Sequence, residues 1–242
     1  MTEIRIIPVR GLPEVAPGDD LAALLAARVE LENGDVVVIA QKAVSKVEGR
    51  VVRLTEVEPS EHALELAVDH DPRKVEVVLR ESARIVRSRP PLVIAETRHG
   101  FVCASAGVDE SNAPERDAVV LLPLDPDRSA AHLRERLREL TGKDVGVIVS
   151  DSFGRPFRLG TTDVAVGAAG VQTLRDLRGT RDRNGYELRT TQIAVADEIA
   201  AAANLVRGKT EGVAAAVVRG LAVAGAGTAR ELVMPREQSL FG

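Results

Sequence analysis

Asp35-Val36-Val37-Val38-Ile39-Ala40 and Asp144-Val145-Gly146-Val147-Ile148-Val149 are two versions of one pattern, an aspartate followed by a continuous apolar run rich in valine. Neither alternates apolar with polar residues, so neither suits a strand with one wet face. Such runs suit strands covered on both sides, as in parallel or mixed sheets with helices above and below. The two runs lead into different residues. Gln41-Lys42 succeeds the first, and Ser150-Asp151-Ser152 succeeds the second.

Around these runs the spacing predicts strands over 3–8, 92–97, 101–105, 117–122 and 213–218, with 92–105 closing a hairpin at His99-Gly100. A helix is predicted over 20–29, capped by Asp19, with Leu21, Leu24, Leu25 and Val29 on one face. Asp71-Pro72 opens another, to about 82. The strongest helix spans 129–140, with Leu133, Leu137 and Leu140 as its buried stripe and Gly142 as its stop. An alanine-rich helix occupies about 191–206, and a glycine-rich stretch lies after Ser152. The expectation is an α+β fold, a single domain over 1–242. It has two lobes with mixed and antiparallel sheets, flanking helices, and a site between the lobes.

Composition excludes several functions. The 242 residues carry a net charge of −4, which does not suit a nucleic-acid binder. Five aromatic residues are too few for base-stacking platforms, and a single cysteine, Cys103, excludes an internal disulfide or a thiolate zinc site. No membrane-spanning apolar stretch or leader is seen, so a cytoplasmic protein is expected. The four histidines show no metalloprotease spacing, and no Gly-x-Ser-x-Gly elbow supports a serine triad. Gly208-Lys209-Thr210 resembles the end of a phosphate loop. However, Ala203 stands where the first glycine belongs, and the run lies between a predicted helix and strand, the reverse of the required order.

Acids, hydroxyls and cations at strand ends remain. Asp151 and Ser152 are hard oxygen donors suited to Mg²⁺ or Mn²⁺. Arg155 beyond them can clamp a phosphate or carboxylate. A capping aspartate and a glycine turn account for the same residues. Asp109 offers a second carboxylate and Asn112 a donor and acceptor for a base or sugar; from these residues alone an Asx-rich turn is the simpler account. Lys42 and Lys46, at i and i+4 after a buried run, would share a helix face near those strand ends. A solvated helix face is the alternative. Only five lysines stand against 27 arginines, which draws the eye to each lysine.

Several colinear motifs make the chain resemble a known family, the gamma-glutamyl ligases that attach L-glutamate to coenzyme F420. They include Gly11-Leu12-Pro13, Ser45-Lys46-x-Glu48-Gly49-Arg50, Gly107-x-Asp109-x-Ser111-Asn112 and Leu124-Asp125-Pro126-Asp127. Leu140-Thr141-Gly142, Asp151-Ser152-x-Gly154-Arg155, Val195-Ala196-Asp197-Glu198 and Val218-Arg219-Gly220-Leu221 continue the series, so that it spans nearly the whole chain. The resemblance implies GTP-dependent ligation through an acyl phosphate, acting on a lactate-bearing deazaflavin precursor and then on further gamma-linked glutamates. It implies a divalent cation, Mg²⁺ or Mn²⁺, on Asp109, Asp151, Ser152 and Glu211, although the sequence around Glu211 departs from the family pattern. Leu12, Pro13, Glu14, Val15, Gln41, Lys42, Lys46, Asn112, Gly208 and Lys209 would contact GTP. Asp109, Asp151 and Arg155 would serve catalysis. A homodimer is implied, as is either a stand-alone ligase or the N-terminal module of a bifunctional bacterial form. A metal-dependent nucleotide hydrolase or phosphotransferase and a non-catalytic GTP-binding module are the alternatives.

Overall fold

A computed structural model describes residues 3–90 and 92–240; residues 1, 2, 241 and 242 of the expected 1–242 span lie outside the described residues. In chain order the elements are β1 (Arg5–Val9), α1 (Leu21–Ala26), β2 (Val36–Ala40), α2 (Gln41–Val47), β3 (Val51–Arg53), α3 (Glu61–Ala67) and α4 (Pro72–Glu81). Then come β4 (Ser82–Arg89), β5 (Leu92–Thr97), β6 (Val102–Ala104), β7 (Ala118–Val120), α5 (Pro126–Thr141), β8 (Gly146–Arg155) and β9 (Arg158–Ala169). The last are β10 (Arg175–Asp176), β11 (Gln192–Ile193), α6 (Val195–Arg207) and β12 (Ala215–Arg219). The fold is α+β.

The main sheet has the order β1-β12-β2-β8-β9. β2 and β8 run parallel, from Val36 opposite Gly146 to Ala40 opposite Ser150, and every other neighbouring pair is antiparallel. The two valine-rich runs are therefore adjacent central strands, buried on both faces. Val37, Ile39, Val147 and Val149 pack with Leu25 of α1 and Leu137 of α5. Val36, Val38 and Ile148, pointing the other way, pack with Ile199, Ala200 and Ala203 of α6. The aspartate heading β2 is tied down from the far end of the sequence. Arg219 grips both carboxylate oxygens of Asp35 at 2.8 Å. Gly34 and Asn33 bond the Asp144 backbone at 2.9 and 2.8 Å, so the two echoing stretches also meet at their starts.

Residues between Val52 and Leu121 build a separate apolar cluster. It contains Leu54, Val77, Val78, Val93, Ala95, Val119 and Leu121, and it lies among the β3–β7 pair, the β4-β5-β6 sheet and α4. The expected hairpin is the β5–β6 pair, and α4 is capped by Asp71, which accepts from the Arg73 N–H at 2.9 Å. Beyond Glu81 the chain turns directly into β4, a strand the sequence did not announce.

Other boundaries move for local reasons. The cap of α1 is Asp20 rather than Asp19, accepting from the Ala23 N–H at 3.0 Å, and the helix stops at Ala26. α5 starts at Pro126 because Asp125 caps it through the Arg128 N–H at 3.0 Å. Leu137 is fully buried in its stripe, but Leu140 is 42% exposed, because the apolar cluster ends at Leu137. α6 starts at Val195, since Gln192 and Ile193 pair with β10 instead.

The largest difference comes after Ser152. The apparent glycine-rich stretch is the rest of β8 and all of β9, a long antiparallel hairpin. Gly167 serves close packing there, for an added Cβ would lie 2.2 Å from the Pro126 carbonyl oxygen. Asp127 fastens the same junction, accepting from the N–H groups of Ala168 at 2.8 Å and Ala229 at 2.7 Å.

Gly167→Ala should therefore destabilise the fold by about 1–3 kcal/mol or more through overpacking against backbone. Gly154→Ala, whose Cβ would meet nothing within 4 Å, should stay within about 0.5 kcal/mol of the parent. Urea unfolding of both variants measures the difference.

Candidate functional site

Because β2 and β8 are parallel, their pairing ends at Ala40 and Ser150, and the residues that follow on both open at the same edge of the sheet. β2 passes into α2 without a loop, so Gln41, Lys42 and Lys46 stand directly over that edge. On β8 the register with β9 shifts between Val149 and Ser150, leaving one extra residue on β9. Such a bulge re-aims the side chains beyond it, here Ser150, Asp151 and Ser152.

A cavity of about 280 Å³ lies over these strand ends. Leu12, Pro13, Glu14 and Val15 line it from the loop after β1, and Gln41, Lys42 and Lys46 from α2. Asp109 and Asn112 enter from the segment before β7, Asp151 and Ser152 from β8, and Gly208 and Lys209 from the loop after α6. Two of the residues singled out in the sequence do not line it. Arg155 sits at the turn between β8 and β9, where its Nη2 donates to the Leu159 carbonyl at 2.9 Å. Glu211 follows Lys209 in the loop but stays off the cavity wall. Gly208-Lys209-Thr210 leaves the C-terminal end of α6 and leads to β12, so it is not placed as a phosphate loop.

The structure adds Ser150, Asp163, Asn204 and Arg207 to the wall. Two signals in the sequence could have found the charged pair. Ala196, Ala200 and Ala203 recur as an inward helical stripe, and its next position is Arg207. Asp163 is a lone acid at the start of the small, apolar inner run of β9.

Three cations at the site are each matched to an acid. Lys42 Nζ pairs with Asp109 at 2.6 Å and also bonds the Ser111 hydroxyl. Lys46, only 6% exposed and so no surface lysine, pairs with Glu14. Arg207 pairs with Asp163 deep in the wall. Burial opposes ionisation of Asp109, but Lys42 and the Ser111 N–H still hold its carboxyl below the ordinary range. Asp151 keeps some exposed surface, yet burial around its carboxyl pushes it up to about 7, with the charges of Asp109 and Asp163 adding to the rise. Burial also pushes the Cys103 thiol up to about 12, and the Asp151 charge reinforces it. Cys103 is thus no nucleophile at neutral pH.

The sequence model of the F420-0:gamma-glutamyl ligase family matches residues 11–220. The chain belongs to that family. The coenzyme F420:L-glutamate ligase of Methanopyrus kandleri is 55% identical over 221 residues, covering 90% of this chain and 87% of its own. Those of Methanothermobacter thermautotrophicus and Archaeoglobus fulgidus are each 45% identical, covering 98% of this chain and 98% and 96% of their own. All the residues lining the cavity lie inside the stretch matched to the F420-0:gamma-glutamyl ligase family.

The donor set at the cavity suits a hard cation. Among the described residues no group of three or more His, Cys, Asp and Glu side chains is arranged to hold a metal. Asp109, Asp151 and the Ser152 hydroxyl still offer two carboxylates and an oxygen, as Mg²⁺ or Mn²⁺ needs when substrate phosphates and water complete the shell. A carboxyl raised chiefly by burial, with nearby acids adding to the rise, marks a place short of positive charge.

The raised Asp151 fixes a pH trend for the metal-free protein. Between the ordinary carboxyl value of 3.8 and about 7, the folded state keeps a proton that the unfolded chain has released. Its contribution to stability is complete below the lower value and is lost as pH rises through the upper one. Urea unfolding with chelator present should show stability falling over that interval, and Asp151→Asn should flatten the fall.

Proposed function

We propose that this chain joins L-glutamate to the free carboxylate of a deazaflavin F420 precursor as an amide, with GTP as the energy source. Family membership supports the ligase reading. The observation that carries the rest is the convergence on one cavity of two carboxylates, a hydroxyl and several buried cationic side chains. Asp109, Asp151 and Ser152 would hold Mg²⁺ or Mn²⁺. The cation would neutralise charge on the polyphosphate as it builds during phosphoryl transfer.

The chain's own residues position and compensate. Lys42 and Lys46 each hold an ammonium at the strand ends, matched to an acid that a polyphosphate would replace as partner. Leu12, Pro13 and Val15 give an apolar wall, and Gln41, Asn112, Gly208 and Lys209 supply polar contacts for the nucleotide. A precursor carboxylate oxygen takes the γ-phosphoryl group and GDP departs. The glutamate amine then attacks the acyl carbon, phosphate leaves, and the amine nitrogen gives up a proton. This route needs no protein nucleophile, in keeping with the high value of the Cys103 thiol. Holding the reactants in line is the protein's main contribution. Repeated turnover would add further gamma-linked glutamates.

Mass spectrometry of the deazaflavin after incubation with GTP, Mn²⁺ and L-glutamate should show increments of one glutamate residue, with GDP and phosphate released over many turnovers only when the deazaflavin precursor and glutamate are both present. Phosphate release without them would instead favour a hydrolase, and GTP binding without turnover a passive module. In the same assay Lys46→Ala should raise the KM for GTP at least tenfold. Lys74→Ala, on α4 and paired with Glu110, should leave it unchanged.

A further inference from the structure

The hydroxyl of Ser152 has its single proton committed. Ser152 Oγ donates to Asp163 Oδ1 at 2.6 Å, across the β8–β9 ladder where the two residues are register partners. A hydroxyl carries one donor and two lone pairs, and an ionised carboxylate can only accept. With its proton on Asp163, Ser152 has only lone pairs to offer the cavity. Asp163 is in turn held from its other oxygen. Asp163 Oδ2 accepts from Ser150 Oγ at 3.0 Å and from Arg207 Nη2, which also donates to Ser150 Oγ at 2.8 Å. Asp163, Arg207 and Ser150 are 3%, 2% and 1% exposed.

A buried ion pair kept only for packing is poorly explained by energetics, since apolar side chains of similar size often do as well. Nor would packing require that two serines from one face of β8 both donate into the pair at the cavity wall. We propose that Asp163 and Arg207 are positioning residues for the metal site: Asp163 draws off the Ser152 proton so that the hydroxyl meets a divalent cation as an acceptor, and Arg207 fixes Asp163 in that orientation. This rests on the reading of Ser152 as a cation ligand. Partners of this kind, one shell removed from a metal, typically account for about 10–100-fold in its affinity.

The test is an electron paramagnetic resonance titration of Mn²⁺ against the full chain with saturating GDP, using GDP alone as the blank. Ser152→Ala and Asp163→Leu, which removes the acceptor, should each weaken Mn²⁺ binding by about 10–100-fold, and the double variant should bind no more weakly than either single one. Asp163→Leu leaves Arg207 unpaired and can unfold the protein. The variant Asp163→Leu/Arg207→Met therefore replaces the ion pair by apolar side chains, and it should melt cooperatively while showing the same loss of Mn²⁺ affinity. Binding within twofold of the parent in that folded variant would reduce the pair to a structural role. Multiplicative losses in the double variant would mean that Asp163 acts on the cation by its own charge and not through Ser152. Failure of the parent chain to bind Mn²⁺ at all would overturn the cation reading itself, a result distinct from both.

Discussion

Parallel pairing of β2 with β8 is the constraint from which the site follows. Each strand has a helix layer on both faces and a hydrogen-bonded neighbour on both edges. Polar side chains have no tolerable place along such strands and must appear where they end. Because the strands point the same way, both ends fall together, and Gln41, Lys42, Ser150, Asp151 and Ser152 arrive at one place. A slip of one residue would exchange the two buried faces of either strand, and both cores resist that.

The electrostatics of the cavity follow from how near this polar edge lies to the core. Acids and bases brought to the edge of a low-dielectric interior have to be matched, and Lys42 with Asp109 and Arg207 with Asp163 are so matched. Asp151 is the exception. The Lys42 charge and the Ser152 N–H work against the rise of its carboxyl without overcoming it. The cavity thus has compensated walls and one acid still in need of positive charge, an arrangement that favours a cation arriving with its own anionic partner.

Central features of the fold were legible in the sequence because they obey short-range rules. Continuous apolar runs mark 36–40 and 145–149, and the Asp71-Pro72 pair marks the start of a helix. The colinear motifs held Leu12, Lys46, Asp109, Asn112 and Asp151, and the family resemblance implied Lys42 and Lys209; the fold gathers all of these at one cavity. β9 was hidden because its residues are chosen for the shape of their neighbour. Gly167 admits the Pro126 carbonyl, and a pattern of small residues and glycines reads locally as a loop. Asp163 and Arg207 were hidden because a buried ion pair joins positions 44 residues apart, and neither half has meaning without the other.

The order of strands has a consequence for the growing polypeptide. β12, close to the end of the chain, is inserted between β1 and β2, close to its beginning. While residues 215–219 are still being translated, β1 has no partner in the main sheet and one edge of β2 is unsatisfied. The ribosome can deliver β2, β8 and β9 as a partial sheet, but the sheet closes only once residues 215–219 have emerged. Assembly is then governed by long-range contacts, which makes folding slow and leaves strand edges open to wrong partners meanwhile. The ion pair between Arg219 and Asp35 is the fastening at that last seam, and it ties the arrival of β12 to the completion of the sheet.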